Sequence, residues 1–277
     1  MSWDIVNIRP LESGSYGDLF LGQRTDTGEQ VVIKRLRDGH LPHVRKAFAR
    51  EVGILSRKLP GLVQLLAWDL NANPPYYVMP YLGGSLKAHV GRLTVDQVRS
   101  VARELATAMG NLHGQSIFHG DIKPDNILVS WDGHLQVADP LGNGLGCTVL
   151  FSENGGGTPG YWAPEVRNGA PIHPAGDTYS LGATLYELST GQKPQDGQSL
   201  DPGSWADTKI REIITACCNN DPGLRPTMKD ILGLLDGQRW EDIQTQRRQR
   251  QELVGACVLG GVVIAAILAL TKGRGKA

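Results

Sequence analysis

The spacing of apolar positions changes about a third of the way along the chain. Residues 5 to 36 hold strand-like runs, LESGSYGDLFLG and then VVIKRL, with TDTGEQ between them carrying the Asp and Gly of a hairpin turn. Residues 43 to 59 place Val44, Phe48, Val52, Leu55 and Leu59 at helical spacing, and Pro60 and Gly61 are expected to end that helix. LVQLLAW and YYVMPYL read as two further strands. A long helix is expected over 94–114, with Thr94 as its N-cap and Val98, Val101, Leu105, Ala108 and Leu112 on one face. Gly and Pro then dominate to about residue 176, and helical patterns return at 177–190 and 206–218. A strand-rich beginning followed by a helix-rich remainder predicts an α+β protein of two unlike lobes, divided near Gly83 and Gly84.

The pattern changes again near the end. Residues 253 to 270, LVGACVLGGVVIAAILAL, contain no charge. As a helix they would span about 27 Å, close to a hydrocarbon core of roughly 30 Å. Arg247, Arg248 and Arg250 precede the run, and Lys272, Arg274 and Lys276 follow it. Bases on both flanks leave orientation nearly undetermined. A buried helix of a soluble protein is the competing reading, but the stretch has no polar face. It resembles a C-terminal tail anchor, with the preceding domain on the cytoplasmic side. Cys257, Gly261, Ala265 and Ala269 recur every four residues, a stripe that would let two such helices pack closely as a homodimer. The arginines of the polar stretch before it would meet anionic headgroups.

Composition narrows the function. Lysine plus arginine equals aspartate plus glutamate, 28 each, so the basic excess of a dedicated nucleic-acid binder is absent. Cys147, Cys217, Cys218 and Cys257 form no CxxC pair and no zinc spacing, and read as reduced thiols.

Three stretches carry candidate chemistry. Gly14 and Gly17, in LESGSYGDL, would let backbone N–H groups approach a phosphate, although any hairpin can hold two glycines. Lys34 ends the apolar run VVIK on the same face as Val32, and needs an anion if it faces inward. Glu51, mid-helix among apolar neighbours, is the best candidate. The densest stretch is HGDIKPDNILV, residues 119 to 129. Asp121 would accept a proton from an attacking hydroxyl, and Lys123 would neutralise a phosphoryl oxygen. Asn126 offers an amide oxygen to Mg²⁺. Asp139, in QVADPLG, adds a carboxylate to that site. The bland alternative is a polar turn whose Asp and Asn cap backbone groups.

In this order the motifs resemble those of eukaryotic-type (Hanks-type) Ser/Thr protein kinases, from about residue 8 to 236. The resemblance implies a bilobal protein-kinase fold over 1–237, the small lobe about 1–82 and the large lobe about 83–237. A polar juxtamembrane segment (238–252), a transmembrane helix (253–271) and a basic tail (272–277) would follow. It implies a cofactor-binding set of Gly14, Tyr16, Gly17, Lys34, Glu51, Met79, Tyr81 and Leu82, the last three near the adenine. Asp121 and Lys123 become catalytic, and Asn126 and Asp139 metal ligands. ATP and Mg²⁺, or Mn²⁺, become the cofactors, and proteins with Ser or Thr the substrates. Ala163-Pro164-Glu165 closes the activation segment, and Glu165 should pair with Arg225. Asp177 anchors the large lobe.

Four departures accompany the resemblance. Glu12 stands at the first glycine of the loop. Gly120 replaces the arginine that normally meets a loop phosphate, so activity should not require phosphorylation at Thr148 or Ser152. Pro140 replaces the phenylalanine after the metal aspartate, with Leu141 expected to fill its space. The stretch from Asp177 to Arg225 is short. A membrane-anchored pseudokinase scaffold is the alternative these changes favour. A small-molecule kinase would lack the GTxxYxAPE segment present here.

Overall fold

The computed structural model describes residues 4–13, 17–37, 41–141, 160–204 and 207–249. The chain forms two compact units, Met1–Leu235 and Asp236–Ala277. In the second, residues 240–249 are helical. Among the described residues no helix is long and apolar enough to cross a membrane. The expected span 253–271 lies outside them.

The first unit begins with an antiparallel sheet of order β1-β2-β3-β5-β4. Its strands are β1 (Ile5–Ser13), β2 (Gly17–Arg24), β3 (Gln30–Leu36), β4 (Ala67–Asp69) and β5 (Tyr76–Pro80). Period-two alternation gives the sheet two apolar faces. On one, Val31, Ile33, Ala67 and Val78 pack with Ile5, Phe20 and Tyr76. The other carries Lys34 and Tyr77 to α1 (Pro42–Leu55), whose buried residues include Phe48, Glu51 and Val52.

Two boundaries differ from the sequence expectation. Helix α1 ends at Leu55, not Leu59, because the chain turns at Lys58, whose φ is +54°. Leu59 is buried after the turn. The expected strand over LVQLLAW shrinks to β4. Leu62 instead bridges Val137, and the Val63 N–H donates to the Val137 carbonyl at 3.1 Å. Gly61 permits this route: its φ is +86°, and a Cβ there would lie 2.3 Å from Ala108 Cβ.

Gly83 and Gly84 lead into a helical lobe. It contains α2 (Val95–His113), the two-stranded β6 (Ile127–Val129) and β7 (Leu135–Val137), α3 (Pro164–Arg167), α4 (Pro174–Thr190), α5 (Thr208–Cys217) and α6 (Met228–Leu235). Thr94 caps α2 in a reciprocal box with Gln97, and the five expected apolar residues of α2 are all buried. Helix α4 is buried continuously from Gly176 to Ser189, with no solvent face. Its polar side chains therefore face other protein segments. Ser180 donates to the Tyr161 carbonyl at 2.8 Å, Thr184 to Ile122 at 3.3 Å and Thr178 to Pro226 at 3.1 Å.

Candidate active site

The catalytic-loop candidates hang from α4. Asp177, fully buried at its first turn, accepts from the backbone N–H groups of His119 at 2.8 Å and Gly120 at 2.7 Å. His113 Nε2 lies 2.8 Å from the same carboxylate. His119 then ties the loop to the next one. Its Nδ1 accepts from the Asp121 N–H at 3.2 Å, which leaves the proton on Nε2 to donate to the Ala138 carbonyl at 3.0 Å. Burial depresses the His119 pKa against the pull of Asp177 and Asp121, so the ring is held neutral.

Within this frame Asp121, Lys123 and Asn126 converge. Lys123 Nζ lies 2.7 Å from Asp121 Oδ2. Asn126 Nδ2 donates to the Asp121 carbonyl and to its Oδ2, both at 2.8 Å. With the amide nitrogen given to Asp121, the Asn126 side-chain oxygen is the atom left for a cation. The Asn126 carbonyl accepts from Ala138 N–H at 2.8 Å, which brings Asp139 beside this loop. Asp139 has φ +59°, a left-handed conformation uncommon for a side-chain-bearing residue and held here by pairing on both sides. Leu141 N–H donates to the His119 carbonyl at 2.8 Å. Pro140 is itself buried, whereas Leu141 is only half-buried.

Lys34 closes the site from the small lobe. Its side chain is 3% exposed and its ammonium lies 2.8 Å from Glu51 Oε1 and 2.9 Å from Asp139 Oδ1. Burial opposes the lysine's charge, but Asp139 and then Glu51 outweigh it and hold its pKa above the usual range. Partial burial works against the Asp139 charge too, and Lys34 prevails, keeping that carboxyl below its ordinary value. Glu51 behaves differently. Burial pushes it up to about 7, against the pull of Lys34 and with Asp139 adding to the rise.

The remaining candidates are dispersed. Gly14 and Tyr16 lie outside the described residues. Gly17 starts β2, where a Cβ would lie 2.7 Å from the Arg35 carbonyl oxygen, so close strand approach alone calls for glycine. Met79 is buried and Leu82, three residues on, is half-buried. The Tyr81 N–H donates to the Gln30 carbonyl at 3.1 Å, and its ring meets Trp131 edge-on at 6.3 Å.

Three residues at the site went unnoticed in the sequence. Tyr77 donates to Glu51 Oε1 at 2.6 Å, and strand alternation with Met79 was the signal available for it. Ile172 packs against Gly120, where a Cβ would meet its Cδ1 at 2.5 Å. Glu187, buried on α4, accepts from the Tyr161 hydroxyl and lies 3.3 Å from Lys87 Nζ. Arg225 forms a two-pronged pair with Glu165, at 2.6 and 2.8 Å. Burial opposes the Glu165 charge, and Arg225 holds its pKa below the ordinary value.

Comparison with known proteins shows which family the chain belongs to. The protein kinase domain family matches residues 5–234. A CBL-interacting protein kinase 19 from Oryza sativa subsp. japonica is 31% identical over 81% of this chain and 48% of its own length. A probable serine/threonine-protein kinase PkwA from Thermomonospora curvata is 30% identical over 82% of this chain and 33% of its own. Sperm motility kinase 2B from Mus musculus is 28% identical over 82% and 50%. The chain thus spans a third to a half of the length of these relatives. With the family matched along most of its residues, the chain belongs to the protein kinase domain family.

Proposed function

We propose that this chain is a Ser/Thr protein kinase that moves the γ-phosphoryl group of ATP to protein hydroxyls. The observation that carries this reading is Lys34, a buried ammonium between Glu51 and Asp139. Phosphoryl transfer in this family needs the strand lysine paired with its helix glutamate. Asp121 stands as the base that takes the hydroxyl proton. Its contact with Lys123 sets a positive charge where phosphoryl oxygens would lie. Asn126 and Asp139 supply an amide oxygen and a carboxylate, the hard oxygen donors that suit Mg²⁺ or Mn²⁺. Such an ion, when bound with ATP, neutralises charge on the phosphates. Lys34 orients the phosphates, and Met79, Tyr81 and Leu82 form the wall for the adenine. Lys123, two residues after the base, favours Ser and Thr as acceptors.

Two finer readings accompany this one. Ile172 fills the place beside Gly120 with an aliphatic side chain, so phosphorylation at Thr148 or Ser152 is not required. The uncharged run 253–270 anchors the protein in a membrane with the kinase unit on the cytoplasmic side, and its small-residue stripe is the dimer contact. Loss of self-association in Gly261→Ile would bear out that contact.

Labelled phosphate transfer from ATP with Mg²⁺ to a generic protein acceptor, beside Asp121→Asn, tests the main reading. Transfer lost in the variant supports the kinase. Absent transfer from folded protein that still binds ATP would favour a scaffold instead, with Glu12 and Pro140 as its marks.

A further inference from the structure

The Tyr77 hydroxyl is a polar atom inside the small-lobe core that the transfer reaction does not use. Tyr77 is fully buried on β5, directly across from Lys34 in the β3–β5 register. Its ring stacks on Phe48 of α1 with centroids 5.4 Å apart. An apolar side chain would fill that space without a polar atom to satisfy. The hydroxyl instead donates to Glu51 Oε1 at 2.6 Å, the same oxygen that accepts from Lys34 Nζ at 2.8 Å. Lys34 Nζ also lies 5.6 Å from the centre of the Tyr77 ring.

These contacts join three elements at one carboxylate oxygen. A glutamate carboxylate turns about a broad terminal torsion and needs a second partner to fix its direction. Lys34 alone does not supply it, because Asp139 draws the same ammonium from 2.9 Å. We infer that Tyr77 is a positioning residue, whose hydroxyl fixes the Glu51 carboxylate against β5 so that Lys34 is held in one place for the nucleotide phosphates. Burial, then the Glu51 carboxylate, push the phenol well above its usual range, so it remains a donor across neutral pH. The inference rests on the reading that Lys34 meets ATP.

The test is a double-mutant cycle in the full chain: the parent, Tyr77→Phe, Glu51→Ala and both together. Phenylalanine keeps the ring on Phe48 and removes only the hydroxyl. The expected result is about a tenfold loss of kcat/KM for ATP from Tyr77→Phe in the parent, and less than about twofold on Glu51→Ala. Equal losses in both backgrounds, or unchanged kinetics in Tyr77→Phe, would overturn the inference and leave packing as the whole role. The same cycle read in MgATP affinity needs no turnover. Weaker binding from Tyr77→Phe only where Glu51 is present supports the inference, and equal affinities oppose it. Asp121→Asn, measured alongside, reports on the catalytic reading separately, since transfer surviving that change defeats the reading and leaves the cycle intact.

Discussion

Gly120 and His119, neighbours in the catalytic loop, are constrained for opposite reasons. Gly120 has φ +81° and faces Ile172, so any side chain meets both backbone strain and a close contact. Gly120→Ala should cost about 1–3 kcal/mol in urea unfolding. Adding Ile172→Ala should recover only the contact part, because the backbone strain stays. His119 is held for its proton. Its folded pKa lies below the ordinary 6.5, so the unfolded chain takes up the proton first as pH falls. The stability it contributes is present above pH 6.5 and is lost as pH falls towards the depressed folded value. Imidazole NMR signals should show His119 neutral below pH 6.5, and Tm should fall through that window with a shallower slope in His119→Gln. Lys34, Asp121, Asn126 and Asp139 were singled out in the sequence by motifs that resemble those of protein kinases, and the structure brings Lys34 to Asp139 and Asn126 to Asp121. The Tyr77 hydroxyl was not legible there, because its value depends on a carboxylate that only the packing of α1 on β5 brings to it.

Among the elements, α2 shows the closest agreement between pattern and structure. Its apolar face and its Thr94 cap are both local signals, and local signals are written in spacing. Thr94→Ala removes the acceptor for the Gln97 N–H, 3.3 Å away, and should destabilise the protein by about 1 kcal/mol without changing ATP affinity. Calorimetry and nucleotide titration together check both halves of that statement. Helix α1 and β4 were read too long for a shared reason. Leu59, Leu62, Val63 and Leu65 are buried, but in a turn and an extended loop that pack against the large lobe. Periodicity reports burial, and burial here continues where regular hydrogen bonding stops.

Across the kinase unit, α4 is the common support. It carries the catalytic loop through Asp177, the Ile122 backbone through Thr184 and the Tyr161 backbone through Ser180. Arg225, whose side chain is fully buried, completes the support by clasping Glu165 and stacking over Tyr179 of α4. Arg225→Leu leaves the Glu165 carboxylate without its guanidinium, and should cost about 3–5 kcal/mol in denaturant unfolding. Arg225→Lys should recover only part of that, because one ammonium cannot reproduce both prongs. The lobe division and the partnership of Glu165 with Arg225 were legible through the family resemblance. The fully buried character of α4 was harder to read, because its serines and threonines look like a solvent face until their acceptors are known.

The contact between Ile172 and Gly120 bears on how such a protein is switched. Where a phosphate meets an arginine, a phosphatase can erase the contact and a kinase can restore it. An aliphatic side chain seated on a glycine offers neither enzyme a handle. On the reading proposed above, a protein built this way keeps that part of its loop set from the moment it folds, and control of its output falls to how much of it is made, where it is placed and how long it lasts.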